Sequence, residues 1–281
     1  LATSGLDFER YLKNGINVVI TISNNDPSNA DATYGTTRDF PNAGFPFISK
    51  QTYQNKIRTI LTPLLPYLSS GRKIMVQCEN EVGDASVNAD SRYWRGDLTQ
   101  YNLQVQALYE VVKSMNSRFT VVLSSFPSET LDAVVDANDP KHAYAQNKVA
   151  TLLAPSGYYD AVDLHFYGCP DSIPSKVNWI KGNMPSKKQW ISTENGGPDD
   201  RCAQTPGHYD DDPARFEQVQ TDQVSQRLGA CQTNSGTVCL WFSMADLQGE
   251  TEVFQHMGLI DQTTMREKPA YAAFQKFASG H

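Results

Sequence analysis

Val76-Gln77-Cys78-Glu79-Asn80-Glu81 and Trp190-Ile191-Ser192-Thr193-Glu194-Asn195-Gly196-Gly197 are two apolar runs that each end on a glutamate and pass into a polar loop. Short β-branched runs of the same kind recur along the chain, at 16–22, 74–77, 120–124, 161–167, 189–193 and 237–242. Between them lie segments with apolar residues at helical spacing, at 51–69, 99–116, 143–153, 175–182 and 213–228, with a last one at 268–278. Strands alternate with helices and no hairpin signal intervenes, which predicts a parallel sheet with helices outside. The expected fold is an α/β barrel of the (β/α)8 type in one domain, 1–281, with six strand–helix units in place of eight.

Local signals refine this pattern. Residues 1–15 read as a helix that Ser4 or Asp7 would cap, with Phe8, Tyr11 and Leu12 on one face and Gly15 at its end. Pro63 and Pro66 argue against a straight helix over 51–69. Asp212-Pro213 is a good N-cap and first helical position. The loop 23–49, rich in Gly, Pro, Asn and Asp, is long for a connection, as functional loops are.

Composition excludes several partners. The chain has 281 residues, 40% hydrophobic and 20% charged, with a net charge of -7. An acidic balance without a basic run argues against nucleic acid and anionic membrane. No apolar stretch reaches the roughly 20 residues of a spanning helix. The chain starts at Leu1 with no legible signal peptide, so the expectation is a processed or truncated form. Five cysteines are present. Cys169 and Cys202 fall in loops after two strands and are candidates for a disulfide, which would imply secretion. Cys231 and Cys239 are a weaker pair, and Cys78 reads as a buried thiol. No Cys-x-x-Cys, zinc-type histidine pair, phosphate loop or Gly-x-Ser-x-Gly element occurs. Asp210-Asp211-Asp212 reads as a calcium ligand set or as a solvated helix start.

The strand ends carry the chemistry. Side chains alternate along a strand, so Asp163, His165 and Tyr167 share one face. Gln77, Glu79 and Glu81 have one parity, as do Ser192 and Glu194. Two carboxylates delivered from different strands suit cleavage of a glycosidic bond. In the retaining form one carboxylate is the nucleophile and the other donates and then recovers a proton, at a separation of about 5–5.5 Å. The proton-holding group keeps its proton at working pH because the neighbouring charge is negative.

Asn80-Glu81 at one strand end, His165-Phe166-Tyr167 at the next but one, Glu194 at the following one and Trp241 in the last resemble glycoside hydrolase clan A. Gly258-Leu259-Ile260-Asp261 and Lys268-Pro269-Ala270-Tyr271 resemble the C-terminal end of that clan. The resemblance runs from about Ile16 onward and implies a retaining β-glycosidase acting on β-linked glycosides or oligosaccharides. It implies Glu81 as acid/base and Glu194 as nucleophile. Asn80 would bond the sugar hydroxyl beside the reacting carbon, and Tyr167 would donate to Glu194. His165 would bind sugar or orient the carboxylates, its alternative being a satisfied interior histidine. Trp241 would be the platform under the sugar ring, its alternative a packing aromatic. Tyr93 and Trp94 would stack further sugar units or pin their loop.

No cofactor and no metal is expected for this chemistry. In the alignment that the resemblance implies, the first strand here is the clan's third. The two missing units would be truncated, lost or supplied by another chain. An open barrel exposes sheet edge, so self-association is expected, or a plug by loop 23–49. A carbohydrate-binding pseudo-enzyme with a degenerate barrel is the alternative function.

Overall fold

The computed structural model describes residues 7–84, 92–199, 201–202, 208–249 and 252–279. Ser4, the middle of loop 82–98 and part of the acidic loop 198–212 lie outside these residues. The chain divides into two compact units, residues 1–163 with 183–188, and residues 164–182 with 189–281.

The first unit opens with helix α1 (Phe8–Lys13), capped by the Asp7 side chain on Arg10 N. Strand β1 (Val18–Ile22) follows, then the long loop, then helix α2 (Lys50–Leu61), capped by Ser49. The prolines act where expected. A single 3-10 turn over Thr62–Leu64 separates α2 from a short helix α3 (Leu65–Ser69). Strand β2 (Ile74–Cys78) is buried throughout and pairs in parallel with β1, Val18 opposite Ile74. Helix α4 (Leu98–Met115) starts on a capping box of Asp97 and Gln100. It packs Val105, Leu108, Val111 and Val112 into the core. Its Tyr101 hydroxyl donates to Cys78 O and accepts from Ser124 N, tying β2 to strand β3 (Thr120–Phe126). Helix α5 (Ser128–Val135) was not expected, although Leu131, Val134 and Val135 have helical spacing. After helix α6 (His142–Leu153) comes strand β4 (Ala161–Leu164), so the sheet in this unit runs β1-β2-β3-β4.

In the second unit the chain leaving β4 stays in the ladder, with Phe166 paired in parallel to Asn195. The expected strand to Tyr167 is thus an assigned strand to Leu164 followed by one isolated bridge. Helix α7 (Ile173–Asn183) leads to strand β5 (Gln189–Asn195). Helix α8 (Pro213–Thr233) begins on the Asp212 cap and runs through Gly229, where an end was expected. Strand β6 (Cys239–Trp241) pairs in parallel with β5, and a register shift falls between Ser192 and Asn195. One turn of helix, α9 (Glu252–Gln255), and helix α10 (Pro269–Ser279) complete the unit. Val224, Leu228, Trp241, Leu259 and Ala270 form a core cluster between them. Cys169 and Cys202 form the disulfide, Cα atoms 4.8 Å apart, and Cys78 and Cys231 are buried thiols. A 33-residue separation makes such a bridge worth about 3–4 kcal/mol in the chain-entropy account.

Loop 23–49 carries its own small core of Ala30, Ala43 and Phe45, with Tyr34 and Phe40 against it. Its anchor is Glu79, a fully buried residue. Glu79 Oε1 accepts from Asn24 N (2.8 Å) and from Gln104 Nε2 of α4. A Cβ at Gly44 would collide with the same carboxyl, so only glycine lets this loop approach so closely. Glu79 does not share a face with Gln77, contrary to the alternation expected. Its φ of 61° and the 44° of Glu81 are left-handed, and that turn of the backbone ends the strand's period of two. Burial pushes the Glu79 carboxyl up to about 8.

The folded state therefore keeps a proton that the unfolded chain releases above about 4.5. Stability from this group is intact in acid and is lost as pH rises toward 8. Glu79→Gln keeps the shape without the ionisation. Urea unfolding should show the variant gaining on wild type by about 1.4 kcal/mol per pH unit across that window. Parallel curves from pH 5 to pH 8 would contradict the buried acid.

Candidate active site

Two clusters of polar side chains sit at strand ends, one in each unit. In the first unit, Gln77 is the hub of the sheet's polar row. It accepts from Thr21 Oγ1 (2.7 Å) and donates to Asp163 Oδ2 (2.7 Å). These three come from β1, β2 and β4, and Gln77 and Asp163 are buried. Beyond Cys78 the backbone turns, and two serines of β3 catch it. The Glu81 N–H donates to Ser125 Oγ (2.9 Å), and the Val82 N–H donates to Ser124 Oγ (2.9 Å). Ser125 Oγ in turn donates to Asn80 Oδ1 (2.9 Å), which fixes the amide of Asn80. Glu81 is half-buried. Sequence reasoning missed both serines. Their parity offers no signal, because adjacent residues point to opposite faces of a strand.

In the second unit, Glu194 closes β5 and two groups from the β4 end converge on one of its oxygens. Tyr167 Oη donates to Glu194 Oε2 at 2.7 Å, and His165 Nδ1 lies 3.3 Å from the same oxygen. His165 Nε2 lies 3.2 Å from Thr193 Oγ1, so both ring nitrogens are engaged. The backbone supports this contact directly. The Phe166 N–H donates to Glu194 O (2.8 Å) and the Gly196 N–H to Phe166 O (3.1 Å). Buried Arg227 of α8 donates to Phe166 O and Gly168 O, clamping the chain just after the strand. Asn195 Nδ2 bonds Ser192 Oγ and Leu240 O, joining β5 to β6. Arg227 lay hidden because arginines on a long helix usually mark a solvated face.

Two expected platforms are corrected. Trp94 is 2% exposed, its Nε1 donates to Asp97 O, and its ring stands edge-on to Tyr101 at 5.7 Å. It pins the loop before α4 and has no face to offer a sugar. Trp241 is 7% exposed, donates from Nε1 to Met257 O (2.8 Å) and belongs to the core cluster. Its neighbour Phe242 is one of the aromatics beside the Tyr167 ring, edge-on at 6.3 Å. Asp212 Oδ1 accepts from Arg215 N, so the acidic run acts as a helix start.

No protein-family model matches the chain, and no curated protein matches it. Solved structures do. A GH53 catalytic domain from Ignisphaera aggregans superposes at TM-score 0.60 and 17% identity, covering 95% of this chain and 75% of that one. GH5_18 from Streptomyces cattleya, in complex with GlcNAc, gives 0.62 and 13%, covering 95% and 62%. A psychrophilic family 10 endo-β-1,4-xylanase gives 0.58 and 14%, covering 95% and 79%. At such identities the likeness establishes the fold, which is that of the (β/α)8 barrel with six of its strand–helix units in this chain.

Ser125 supports both Asn80 and Glu81. Ser125→Ala removes two part-buried hydrogen bonds, one to Asn80 and one to Glu81, so it should cost about 0.5–1.5 kcal/mol for each in urea unfolding. An unchanged midpoint would show that the two serines do not hold this turn.

Proposed function

We propose that the chain is a retaining glycoside hydrolase acting on β-linked glycosides, with Glu194 as nucleophile and Glu81 as acid/base. The observation that carries this reading is the Tyr167 hydroxyl on Glu194 Oε2, with His165 Nδ1 against the same oxygen. A hydroxyl donor keeps a carboxylate ionised and fixes its direction, which is what a nucleophile needs. The fold likeness to structures described as GH53, GH5_18 and family 10 xylanase adds support.

In this mechanism Glu194 attacks the anomeric carbon while Glu81 gives its proton to the leaving oxygen. A covalent glycosyl-enzyme forms on Glu194. Glu81, now a base, takes a proton from water, which attacks the same carbon and restores both groups. Asn80 has its Oδ1 committed to Ser125, so its amide nitrogen is the end that would meet the neighbouring sugar hydroxyl. His165 supports the same Glu194 oxygen. The Cys169–Cys202 bridge supports an extracytoplasmic setting.

The test is a panel of aryl β-glycosides and soluble β-glucans with wild type, Glu194→Ala and Glu81→Ala. One sugar class should be hydrolysed by wild type with retained configuration. Glu194→Ala should be inactive until azide is added, and then yield the glycosyl azide of inverted configuration. Glu81→Ala should lose about 10²–10⁴-fold on poor leaving groups and give the retained azide. Oligosaccharide binding without any turnover would favour the pseudo-enzyme instead.

A further inference from the structure

We infer that Phe254 is a positioning residue for Glu194, acting through the ring of Tyr167, and that a clasp on the carbonyls of His256, Met257 and Gly258 sets it. The inference rests on the reading of Glu194 as nucleophile. It begins from the fact that the Tyr167 hydroxyl can only be as well placed as its ring.

Neighbours on several sides hold that ring. Phe254 meets it edge-on at 5.2 Å and 82°, and Phe242 at 6.3 Å and 86°. The two phenylalanines also meet each other, at 6.2 Å and 89°. On a further side stands Gly196, where a Cβ would come 2.6 Å from Tyr167 Cε1 and 2.8 Å from Met257 Sδ. The ring thus fits a slot with no space for even a methyl group beside it. Edge-to-face contacts are directional, so this slot fixes the ring's tilt as well as its place.

Phe254 itself sits on a four-residue helix, too short to hold its own position. Groups from outside hold it through the residues that follow. Gln220 Nε2 of α8 donates to His256 O (3.1 Å), Met257 O (2.9 Å) and Gly258 O (3.2 Å). Trp241 Nε1 of β6 adds a second donor to Met257 O (2.8 Å). Lys268 Nζ donates to His256 O (2.9 Å) and Asp246 Oδ1 (2.6 Å), and Asp246 Oδ1 also accepts the Gly258 N–H (3.0 Å). The His256 ring stacks on Tyr209 at 3.9 Å. Gln220 and Lys268 are buried, which makes these bonds costly to break. Buried donors from α8, from β6 and from the residue before α10 therefore converge on the loop that follows Phe254. A clasp of this kind is more than a loop needs for closure alone, and it explains why Trp241 faces the core while keeping a link to the site.

The experiment is a double-mutant cycle with two readouts. The first needs no turnover. With carbon-13 glutamate, the carboxyl resonance of Glu194 is assigned by its loss in Glu194→Gln. It should move in Tyr167→Phe, move in the same direction in Phe254→Ala, and move no further in the double variant. The second readout is hydrolysis of the aryl glycoside found in the panel. Phe254→Ala should lower kcat by about 10²-fold, the scale for a reacting group displaced by about 1 Å, with KM little changed and no added loss on top of Tyr167→Phe. Phe254→Leu should recover part of kcat. It replaces Phe254→Ala in the cycle if that variant does not fold. Gln220→Met should reproduce the effect in the wild-type background and lose it beside the Phe254 variant. A Glu194 resonance unmoved by the Phe254 variant, or fully additive losses of kcat, overturns the inference. Absence of turnover by wild type overturns the glycosidase reading separately, because the resonance readout stands without it.

Discussion

The hydrogen bond from Tyr167 Oη to Glu194 Oε2 is the contact around which the second unit is built. A carboxylate at a strand end is usually free to rotate into water. Here a phenol and an imidazole reach one oxygen from the end of the preceding strand, so the group has a supported direction. Everything that fixes the two strand ends serves this contact. The Phe166–Glu194 and Gly196–Phe166 backbone bonds set the register. Arg227 clamps the carbonyls that follow β4. Asn195 ties β5 to β6, and the disulfide closes the loops beyond.

The first unit solves a different problem, that of turning a buried strand into a site-forming loop. Its backbone enters left-handed conformations at Glu79 and Glu81. That reversal sends Glu79 into the protein, where a neutral acid anchors the Asn24 loop and α4. Glu81 and Asn80 are left beside β3 and are held there by Ser125, with Ser124 holding Val82 next to them. One short stretch thereby carries a structural acid and a candidate catalytic acid two residues apart. Burial raises the carboxyl of Glu79 well above the usual range.

Much of this was legible in the sequence because period and punctuation are local properties. Alternation put His165 and Tyr167 on one face, the prolines at 63 and 66 broke their helix, Asp212 capped α8, and Cys169 and Cys202 paired from neighbouring loops. What stayed hidden depended on something non-local. The direction of Glu79 follows from a φ that no residue type announces, since glutamate rarely adopts it. The burial of Trp241 follows from Val224, Leu228, Leu259 and Ala270, which come from distant parts of the chain. Gln220, Arg227 and Ser125 look like surface polarity in one dimension and become buried donors only when the tertiary fold surrounds them. Helix α5 had a readable apolar face and was missed for want of length.

The most direct measurement of the central claim is mass spectrometry of the protein after reaction with an activated 2-deoxy-2-fluoro β-glycoside, which slows hydrolysis of a glycosyl-enzyme more than its formation. The account predicts one added fluoroglycosyl group per chain, released by digestion on a peptide that carries it at Glu194. No covalent adduct with a substrate that is turned over, or an adduct on another carboxylate, would contradict the assignment of Glu194 as nucleophile.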